Sequence, residues 1–299
     1  MKCIVTGGCG FIGSHLVDAL LALGYSVIVI DDLSTGKLAN LNGDAEIIQE
    51  SILNFELVKS VINGADWVFH LAAWPRIPRS LDDPIGTHNV NVTGTLNVLQ
   101  AAREANVAKF IYSSSSSIYG DQDTHIMNEN MIPNPSSPYA LQKLMGEQYT
   151  TMFANLFGMK NVSLGYFNVY GPRQSEGAYS LVIGRFQSMK EAGEPLTVYG
   201  DGEQTRAYTY IGDVVSANIL AAQANLRSGE NLILNIGTST ETSVNEIAIK
   251  IGGEIVYISP NPRGKYEERH KTADYMKAKS LLGWEPTVSL DEGLRILQT

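Results

Sequence analysis

Tyr139 and Lys143 have residue types and a spacing that suit proton transfer. They are four residues apart in a helix predicted to begin at about Pro138, so their side chains share one helix face. An ammonium beside a phenol favours the phenolate and lowers the pKa of the tyrosine from about 10 toward the working pH. A tyrosine tuned in this way acts as a general base. Because the same pair is common on solvated helix faces, the interpretation depends on what the rest of the chain places around it.

A run of five serines, residues 113–117, lies upstream of the tyrosine. Such runs occur in flexible linkers. Here the run follows an apolar stretch at residues 109–113 that predicts a buried strand, and it leads into Ile118, Tyr119 and Gly120. A hydroxyl-rich active-site loop is therefore better supported than a linker.

Three glycines near the start of the chain, Gly7, Gly10 and Gly13, predict a phosphate-binding turn. They follow a short apolar strand at residues 3–5 and lead into apolar residues at helical spacing. Glycines let the backbone turn tightly and approach a pyrophosphate, and the first amides of the helix then point at the anion. An ordinary strand-to-helix turn is the alternative for a lone glycine triplet.

An acidic pair, Asp31 and Asp32, ends the second predicted strand at residues 26–30. The pair lies about 20 residues past the glycines, where a carboxylate binds the ribose 2′-hydroxyl of NAD. The same carboxylate repels the 2′-phosphate of NADP. We therefore expect a dinucleotide site that takes NAD.

Strands and helices alternate through the first 170 residues, which predicts an α/β fold with a Rossmann-type, doubly wound parallel sheet. Further strands are predicted at residues 46–49, 66–73, 109–113 and 162–167, and helices at residues 54–62 and 84–106. Ligands of such sheets bind at the carboxyl ends of the strands, where the glycine turn, Asp31, Ala72, Ala73 and the serine run all fall. His70 is either a general base or a hydrogen-bonded packing residue, and its apolar neighbours favour packing.

The composition limits the possible partners. The chain has 299 residues, 44% hydrophobic and 18% charged, and its net charge of −9 disfavours nucleic acid and anionic membranes. We expect no signal peptide and no membrane span, because no apolar run approaches roughly 20 residues. The two cysteines, Cys3 and Cys9, are expected to be free packing residues, which favours a reducing, cytoplasmic location.

The composition changes at about Gly171, where short elements are separated by many glycines and prolines. This predicts an NAD-binding domain at residues 1–170 and a smaller substrate-binding region at residues 171–299, with residues 213–240 rejoining the first domain. The second region is expected to hold strands at residues 196–199, 207–211 and 232–236, and helices at residues 213–226, 244–251 and 278–286. Arg206 and Arg263 are candidate phosphate binders, although single arginines are more often surface charges.

These segments together resemble the extended short-chain dehydrogenase/reductase family, and within it the UDP-hexose 4-epimerases. The resemblance covers nearly the whole chain and is carried by residues 6–15, 31–36, 70–73, 91–95, 113–117, 139–143, 166–174 and 205–213. It implies NAD-dependent epimerisation at C4 of a UDP-hexose such as UDP-glucose, or of a UDP-N-acetylhexosamine. In this reaction Tyr139 takes the proton of the 4-hydroxyl, Ser115 assists, and Lys143 holds the nicotinamide ribose. It also implies a homodimer formed by the helices at residues 84–106 and 138–157.

The same resemblance assigns two sets of binding residues. The cofactor set is Gly7, Gly10, Phe11, Ile12, Gly13, Asp31, Asp32, Ser34, Thr35, Gly36, Ser51, Ile52, Leu71, Ala72, Ala73, Asn91, Ser113, Tyr139, Lys143 and Tyr166. The substrate set is Arg76, Ser115, Tyr139, Asn168, Thr197, Tyr199, Arg206 and Arg263.

Several positions depart from the family pattern and leave the sugar open. Ser51 stands where an aspartate usually contacts the adenine, Gly165 replaces a frequent arginine, and Ala207 replaces a common aspartate. Lys271 falls near the position whose size is thought to decide whether N-acetylated sugars fit.

The serine run also separates this chain from close relatives of the epimerases. The 4,6-dehydratases carry an Asp-Glu pair after their catalytic threonine and the sugar-acid decarboxylases carry a glutamate, whereas this chain has Ser116 and Ser117. A dehydratase, decarboxylase or reductase of the same family nevertheless remains an alternative. A catalytically silent NAD-binding regulator is another, and the presence of Ser115, Tyr139 and Lys143 argues against it.

Overall fold

A seven-stranded parallel sheet forms the centre of the protein, whose computed structural model describes residues 1–174, 182–259 and 270–298. In chain order the strands are β1 (Lys2–Thr6), β2 (Ser26–Ile30), β3 (Glu46–Ile48), β4 (Trp67–His70), β5 (Lys109–Ser115), β6 (Ile126–Met127), β7 (Asn161–Tyr166), β8 (Val169–Tyr170), β9 (Leu196–Tyr199), β10 (Thr205–Arg206), β11 (Thr209–Tyr210), β12 (Asn231–Ile236), β13 (Thr242–Ser243), β14 (Ile255–Ile258) and β15 (Thr272–Ala273). The order in the main sheet is β3-β2-β1-β4-β5-β7-β12. The predicted doubly wound α/β fold is therefore confirmed.

The helices connect these strands by crossovers. They are α1 (Phe11–Ala22), α2 (Phe55–Ile62), α3 (Ile77–Asp82), α4 (Pro84–His88), α5 (Thr95–Glu104), α6 (Pro138–Phe157), α7 (Val182–Glu191), α8 (Ile211–Gln223), α9 (Val244–Ile251), α10 (Met276–Leu282) and α11 (Leu290–Ile296). A π-helical turn, Asn89–Gly94, joins α4 to α5, and the backbone stays helical at both junctions. The single helix expected at residues 84–106 is thus interrupted by a wider turn.

Both faces of the sheet are buried, as expected for parallel strands rich in valine and isoleucine. Cys3 and Val5 of β1 pack with α1 and α8 on one face, whereas Ile4 packs with α2 and α5 on the other. Cys3 and Cys9 are free and fully buried. Burial raises the pKa of both thiols to about 11, so both cysteines are packing residues.

Helix α6 has a well-defined start, which fixes the position of Tyr139. Ser137 accepts a hydrogen bond from the Ala140 amide at 3.2 Å, and Pro138 occupies the first helical position. The helix ends at Gly158, which has a φ of +71°. Tyr139 therefore lies in the first turn of a 20-residue helix.

The region after residue 170 consists of two-stranded pairings around a smaller core. The strand predicted at residues 207–211 is shorter in the structure, where only Thr209 and Tyr210 form β11 and Ile211 already begins α8. Ala207 and Tyr208 are buried between β10 and β11. Strand β12 rejoins the main sheet beside β7, and the domain division at residue 170 stays a prediction. Within the described residues no helix is long and apolar enough to cross a membrane.

Candidate active site

The glycine turn forms a cradle that no larger residue fits. Gly7 has a φ of +74°, and a Cβ on it would lie 2.7 Å from the amide nitrogen of Ala72 at the end of β4. A Cβ on Gly13 would lie 2.1 Å from the carbonyl oxygen of Gly7. Helix α1 follows with Gly10 as its cap, Phe11 and Ile12 in its first turn, and no acidic residue there. This close approach of the backbone at the start of α1 fits a dinucleotide pyrophosphate.

Asp31 lies directly against this turn. Its carboxylate accepts hydrogen bonds from the amides of Cys9 at 2.9 Å and Leu33 at 2.8 Å. Burial raises the pKa of Asp31, while the two amide hydrogen bonds lower it. The carboxylate that was predicted to bind ribose is therefore held at the mouth of the glycine cradle.

The loop after Asp31 packs against the glycine turn. Asp32 accepts a hydrogen bond from the Ser34 amide, and the Ser34 hydroxyl accepts one from the Trp74 indole at 3.0 Å. A Cβ on Gly36 would lie 2.9 Å from Cys9, whereas Thr35 is exposed. The loop is thus held between the glycine turn and the segment after β4.

Two further groups of the predicted cofactor set are Leu71, Ala72 and Ala73 after β4, and Ser51 and Ile52 before α2. The Thr6 hydroxyl accepts the Ala72 amide at 3.2 Å, which fixes the chain at Leu71, Ala72 and Ala73 after β4. The Ser51 hydroxyl accepts the Leu53 amide at 3.3 Å, and Ile52 is buried. Contact of Ser51 and Ile52 with the cofactor stays a prediction.

Ser115 and Tyr139 are hydrogen-bonded to each other through their side chains. The Ser115 hydroxyl oxygen also accepts hydrogen bonds from the amide and the hydroxyl of Ser117, at 3.2 and 2.9 Å. Because Ser115 accepts twice from Ser117, its own proton is available to the Tyr139 oxygen. The Tyr139 amide donates to the buried Ser80 hydroxyl at 3.0 Å, which ties the start of α6 to α3.

Lys143 is buried and donates to the Ser113 carbonyl at 2.7 Å. Burial lowers the pKa of its ammonium to about 7. Burial raises the pKa of Tyr139, and the influences that lower it are the Arg76 charge and the Ser115 hydrogen bond. Lys143 is not among the groups that lower the pKa of Tyr139 in this structure, and its tuning of Tyr139 stays a prediction.

Asn91 and Tyr166 use their polar groups within the protein. The Asn91 side chain accepts the Trp74 amide at 2.7 Å and donates to the Trp74 carbonyl and to Gln142. The Tyr166 hydroxyl donates to Asn218 at 2.9 Å. Contact of both residues with the cofactor stays a prediction.

His70 is a packing residue. Its ring forms hydrogen bonds with the hydroxyls of Thr6 at 2.7 Å and Thr95 at 2.9 Å, and it is 1% exposed. Burial lowers its pKa to about 3. A neutral, doubly hydrogen-bonded ring joins β1, β4 and α5 and does not take up protons near neutral pH.

Two of the predicted substrate residues donate hydrogen bonds to carbonyls at residues 205 and 207, and two others lie on β9. Asn168 donates to the Ala207 carbonyl at 3.1 Å, and Arg206 donates to the Thr205 carbonyl at 2.7 Å. Thr197 and Tyr199 lie on β9, where Arg185 from α7 donates to the Thr197 carbonyl at 2.7 Å and stacks on the Tyr199 ring at 4.6 Å. Arg263 lies outside the described residues.

Two residues near the site, Ser80 and Arg185, could not be identified from the sequence. Ser80 carries no local motif, since its partner Tyr139 is 59 residues away. Arg185 lies on an amphipathic helix and resembles any surface arginine in the sequence. Only tertiary contacts identify either of them.

Glu147, one turn after Lys143, is a buried carboxyl that accepts the Ser114 hydroxyl at 2.7 Å. Burial raises its pKa to about 7. Between pH 4.5 and 7 the folded protein therefore binds more protons here than the unfolded chain, and stability falls as the pH rises.

We expect Glu147→Gln to stabilise the protein at pH 8 by at most about 3 kcal/mol and to have no stabilising effect near pH 4. The amide keeps the acceptor for Ser114 without a charge to desolvate. Urea unfolding across this pH range measures the effect, with the exposed Glu254→Gln as control. A variant whose stability follows wild type at every pH would contradict it.

The fold and this geometry define a dinucleotide-dependent enzyme of the short-chain dehydrogenase/reductase type. Comparison with known proteins agrees. The model of the NAD dependent epimerase/dehydratase family matches residues 3–237, and the chain belongs to this family. The NAD predicted from Asp31 and the glycine turn is the cofactor of that family.

Curated relatives span almost the same length. The UDP-glucose 4-epimerase of Mycolicibacterium smegmatis is 38% identical over 98% of this chain and 96% of its own. A UDP-N-acetyl-alpha-D-glucosaminuronate decarboxylase of Bacillus cytotoxicus is 35% identical over 98% of this chain and 95% of its own.

Among solved structures, the UDP-glucose 4-epimerase of Thermotoga maritima with UDP-glucose matches with a TM-score of 0.93. It is 40% identical, and the match covers 99% of this chain and 97% of that one. These comparisons support epimerase activity on a UDP-sugar and leave the sugar itself open.

Proposed function

We propose that this protein interconverts the C4 epimers of a UDP-hexose or UDP-N-acetylhexosamine through a transient 4-keto sugar. The hydrogen-bonded pair of Ser115 and Tyr139, at the same sheet edge as the glycine cradle, is the observation that carries the proposal. Residues 116 and 117 are serines, so this loop has no acid for eliminating water from the sugar.

NAD, which the glycine turn and Asp31 would hold, would supply the acceptor and donor of the C4 hydride. The protein moves the proton and holds the reactants. Tyr139 takes the proton from the 4-hydroxyl as its phenolate, and the Ser115 hydrogen bond stabilises that phenolate until the proton is transferred. Lys143, buried beside Ser113, holds the nicotinamide ribose.

The uridine diphosphate is proposed to lie against the second region. Asn168, Thr197, Tyr199, Arg206 and Arg263 are the residues assigned to it. Arg185 supports this wall because it fixes the Thr197 backbone and the Tyr199 ring. The free cysteines favour the cytoplasm as the place of this reaction.

The direct test incubates the purified protein, without added cofactor, with UDP-glucose, UDP-galactose and their N-acetylated counterparts. NMR follows the appearance of each C4 epimer. A stable two-sugar mixture is expected, and the fastest pair identifies the substrate. A keto or decarboxylated product would instead assign the protein to the dehydratases or decarboxylases, as the decarboxylase relative allows.

We also propose a homodimer with α6 at the interface. Four large apolar side chains on this helix are exposed: Leu141, Met152, Leu156 and Phe157. Met152 and Leu156 line a surface cavity of about 360 Å³. Contiguous apolar surface of this kind marks an interaction site.

Light scattering is expected to give twice the 32.6 kDa chain mass. Leu156→Glu should shift the protein toward monomer, because it places a charge in the apolar contact. Leu23→Glu, at another exposed leucine directly after α1, is the matched control. A monomeric wild type would contradict the dimer.

A further inference from the structure

Trp74 joins the two loops that flank the glycine turn. In the sheet, β1 lies between β2 and β4, so the loops that follow β2 and β4 lie on either side of the turn that follows β1. The indole nitrogen of Trp74, in the loop after β4, donates to the hydroxyl of Ser34, in the loop after β2, at 3.0 Å. This bond therefore spans the carboxyl end of β1, the place where the pyrophosphate of a dinucleotide binds in such sheets.

The backbone of Trp74 is held by Asn91. The Asn91 side chain accepts the Trp74 amide at 2.7 Å and donates to the Trp74 carbonyl at 3.0 Å. Asn91 is 2% exposed and lies in the π-helical turn between α4 and α5. Both peptide groups of Trp74 are thus attached to one buried side chain, which fixes the direction in which the indole leaves the backbone.

The indole ring is held as well. The Arg79 guanidinium lies over the ring, 3.8 Å from its centroid, and such stacking stabilises an aromatic ring near the surface. Gly86 lies against the ring edge, where a Cβ would be 3.0 Å from the Cζ3 atom of Trp74. The ring also packs against the apolar cluster that contains Ile52. Because the indole is already immobilised, its bond to Ser34 costs little rotational freedom.

The Ser34 end of the bond is anchored independently. The Ser34 amide donates to the Asp32 carboxylate at 2.9 Å, and the Lys37 amide donates to the Cys9 carbonyl at 3.0 Å. Two anchored loops joined by one side-chain bond enclose the glycine turn from both sides. Since Ser34 is exposed, water replaces this bond when it breaks, so it is the part of the enclosure that opens most easily.

We propose that Trp74 and Ser34 form a clasp that retains NAD, and that their hydrogen bond opens each time the cofactor enters or leaves. The proposal rests on the proposed function, because it takes the glycine turn and Asp31 as the NAD site. A ligand enclosed by two joined loops leaves only when the loops part. An epimerisation that returns its hydride to the sugar consumes no NAD, so slow release of the cofactor does not limit turnover.

The test follows the exchange of bound NAD for isotope-labelled NAD added in excess, by filtration and mass spectrometry. Trp74→Phe keeps a ring for Arg79 and removes the indole N–H, so exchange is expected to be about three- to tenfold faster, the effect of losing one hydrogen bond. Ser34→Ala removes the acceptor and should match it, whereas Ser34→Thr keeps a hydroxyl and should restore slow exchange. Trp67→Phe, at the opposite end of β4, and Ser60→Ala, on α2, are the controls for losing an indole and an exposed hydroxyl.

The double variant Trp74→Phe/Ser34→Ala distinguishes a clasp from two independent contacts with NAD. If the two side chains act through their shared bond, the double variant exchanges NAD no faster than either single variant, whereas independent contacts would multiply the two effects. If Trp74→Phe fails to fold, Ser34→Ala and Ser34→Thr decide the question, because the Ser34 side chain is exposed.

The outcomes separate the clasp from the proposed function. Exchange at the wild-type rate in both single variants, or multiplied effects in the double variant, overturns the clasp and leaves the epimerase proposal standing. A wild type that binds no NAD, even when NAD is added, overturns the clasp together with the NAD site at the glycine turn.

Discussion

Replacing Tyr139 by phenylalanine is expected to lower kcat roughly 10²–10⁴-fold, the range that a single general acid–base group contributes. The change removes the phenol oxygen that we propose as the acceptor of the sugar hydroxyl proton, together with its hydrogen bond to Ser115. The ring and the amide bond to Ser80 remain, so folding should be preserved. Initial rates with UDP-glucose or the preferred sugar measure the effect.

Tyr149→Phe is the matched control, because it removes a phenol from the same helix ten residues further on. The control should retain near wild-type kcat. Both variants should melt at similar temperatures and carry as much NAD as wild type. An active Tyr139→Phe enzyme would mean that another group, with Ser115 the nearest, takes the proton.

Replacing Gly13 by alanine is expected to cause the largest loss of cofactor. The new Cβ would lie 2.1 Å from the Gly7 carbonyl, a contact that forces the turn and α1 apart. Overpacking of this kind costs about 1–3 kcal/mol of stability. The same displacement moves the first amides of α1 away from the pyrophosphate, so NAD binding should weaken by at least about tenfold.

Gly43→Ala provides the control, since nothing lies within 4 Å of its Cβ position and its φ is not positive. NAD released from acid-precipitated protein, measured per chain, reports the difference. Retention of a full complement of NAD by Gly13→Ala would contradict the cradle assigned to this turn.

The order of elements and the sheet edge that carries the site follow from local sequence. A strand, a turn with three glycines and a helix can pack together in few ways. The right-handed crossovers between parallel strands then bring Asp31 and the serine run to the same edge of the sheet. The spacing of Tyr139 and Lys143 likewise needs only the helical period.

Contacts between distant segments could not be predicted in this way. Ser80 lies 59 residues from Tyr139, and Lys271 lies 155 residues from Ser116. The raised pKa of Tyr139 could not be predicted in this way either. A helical spacing shows that Lys143 and Tyr139 share a face, but only the folded structure shows that burial affects both groups more strongly than they affect each other.

The π-helical turn at Asn89–Gly94 determines where this enzyme tolerates changes in chain length. Such a turn accommodates an extra residue within an otherwise regular helix. Adding or deleting a residue there would rotate Asn91 by about 100° about the helix axis, away from Trp74 or Gln142. Insertions for tags or grafted loops therefore belong at open positions such as Gly43, and the helix from Pro84 to Glu104 must keep its length.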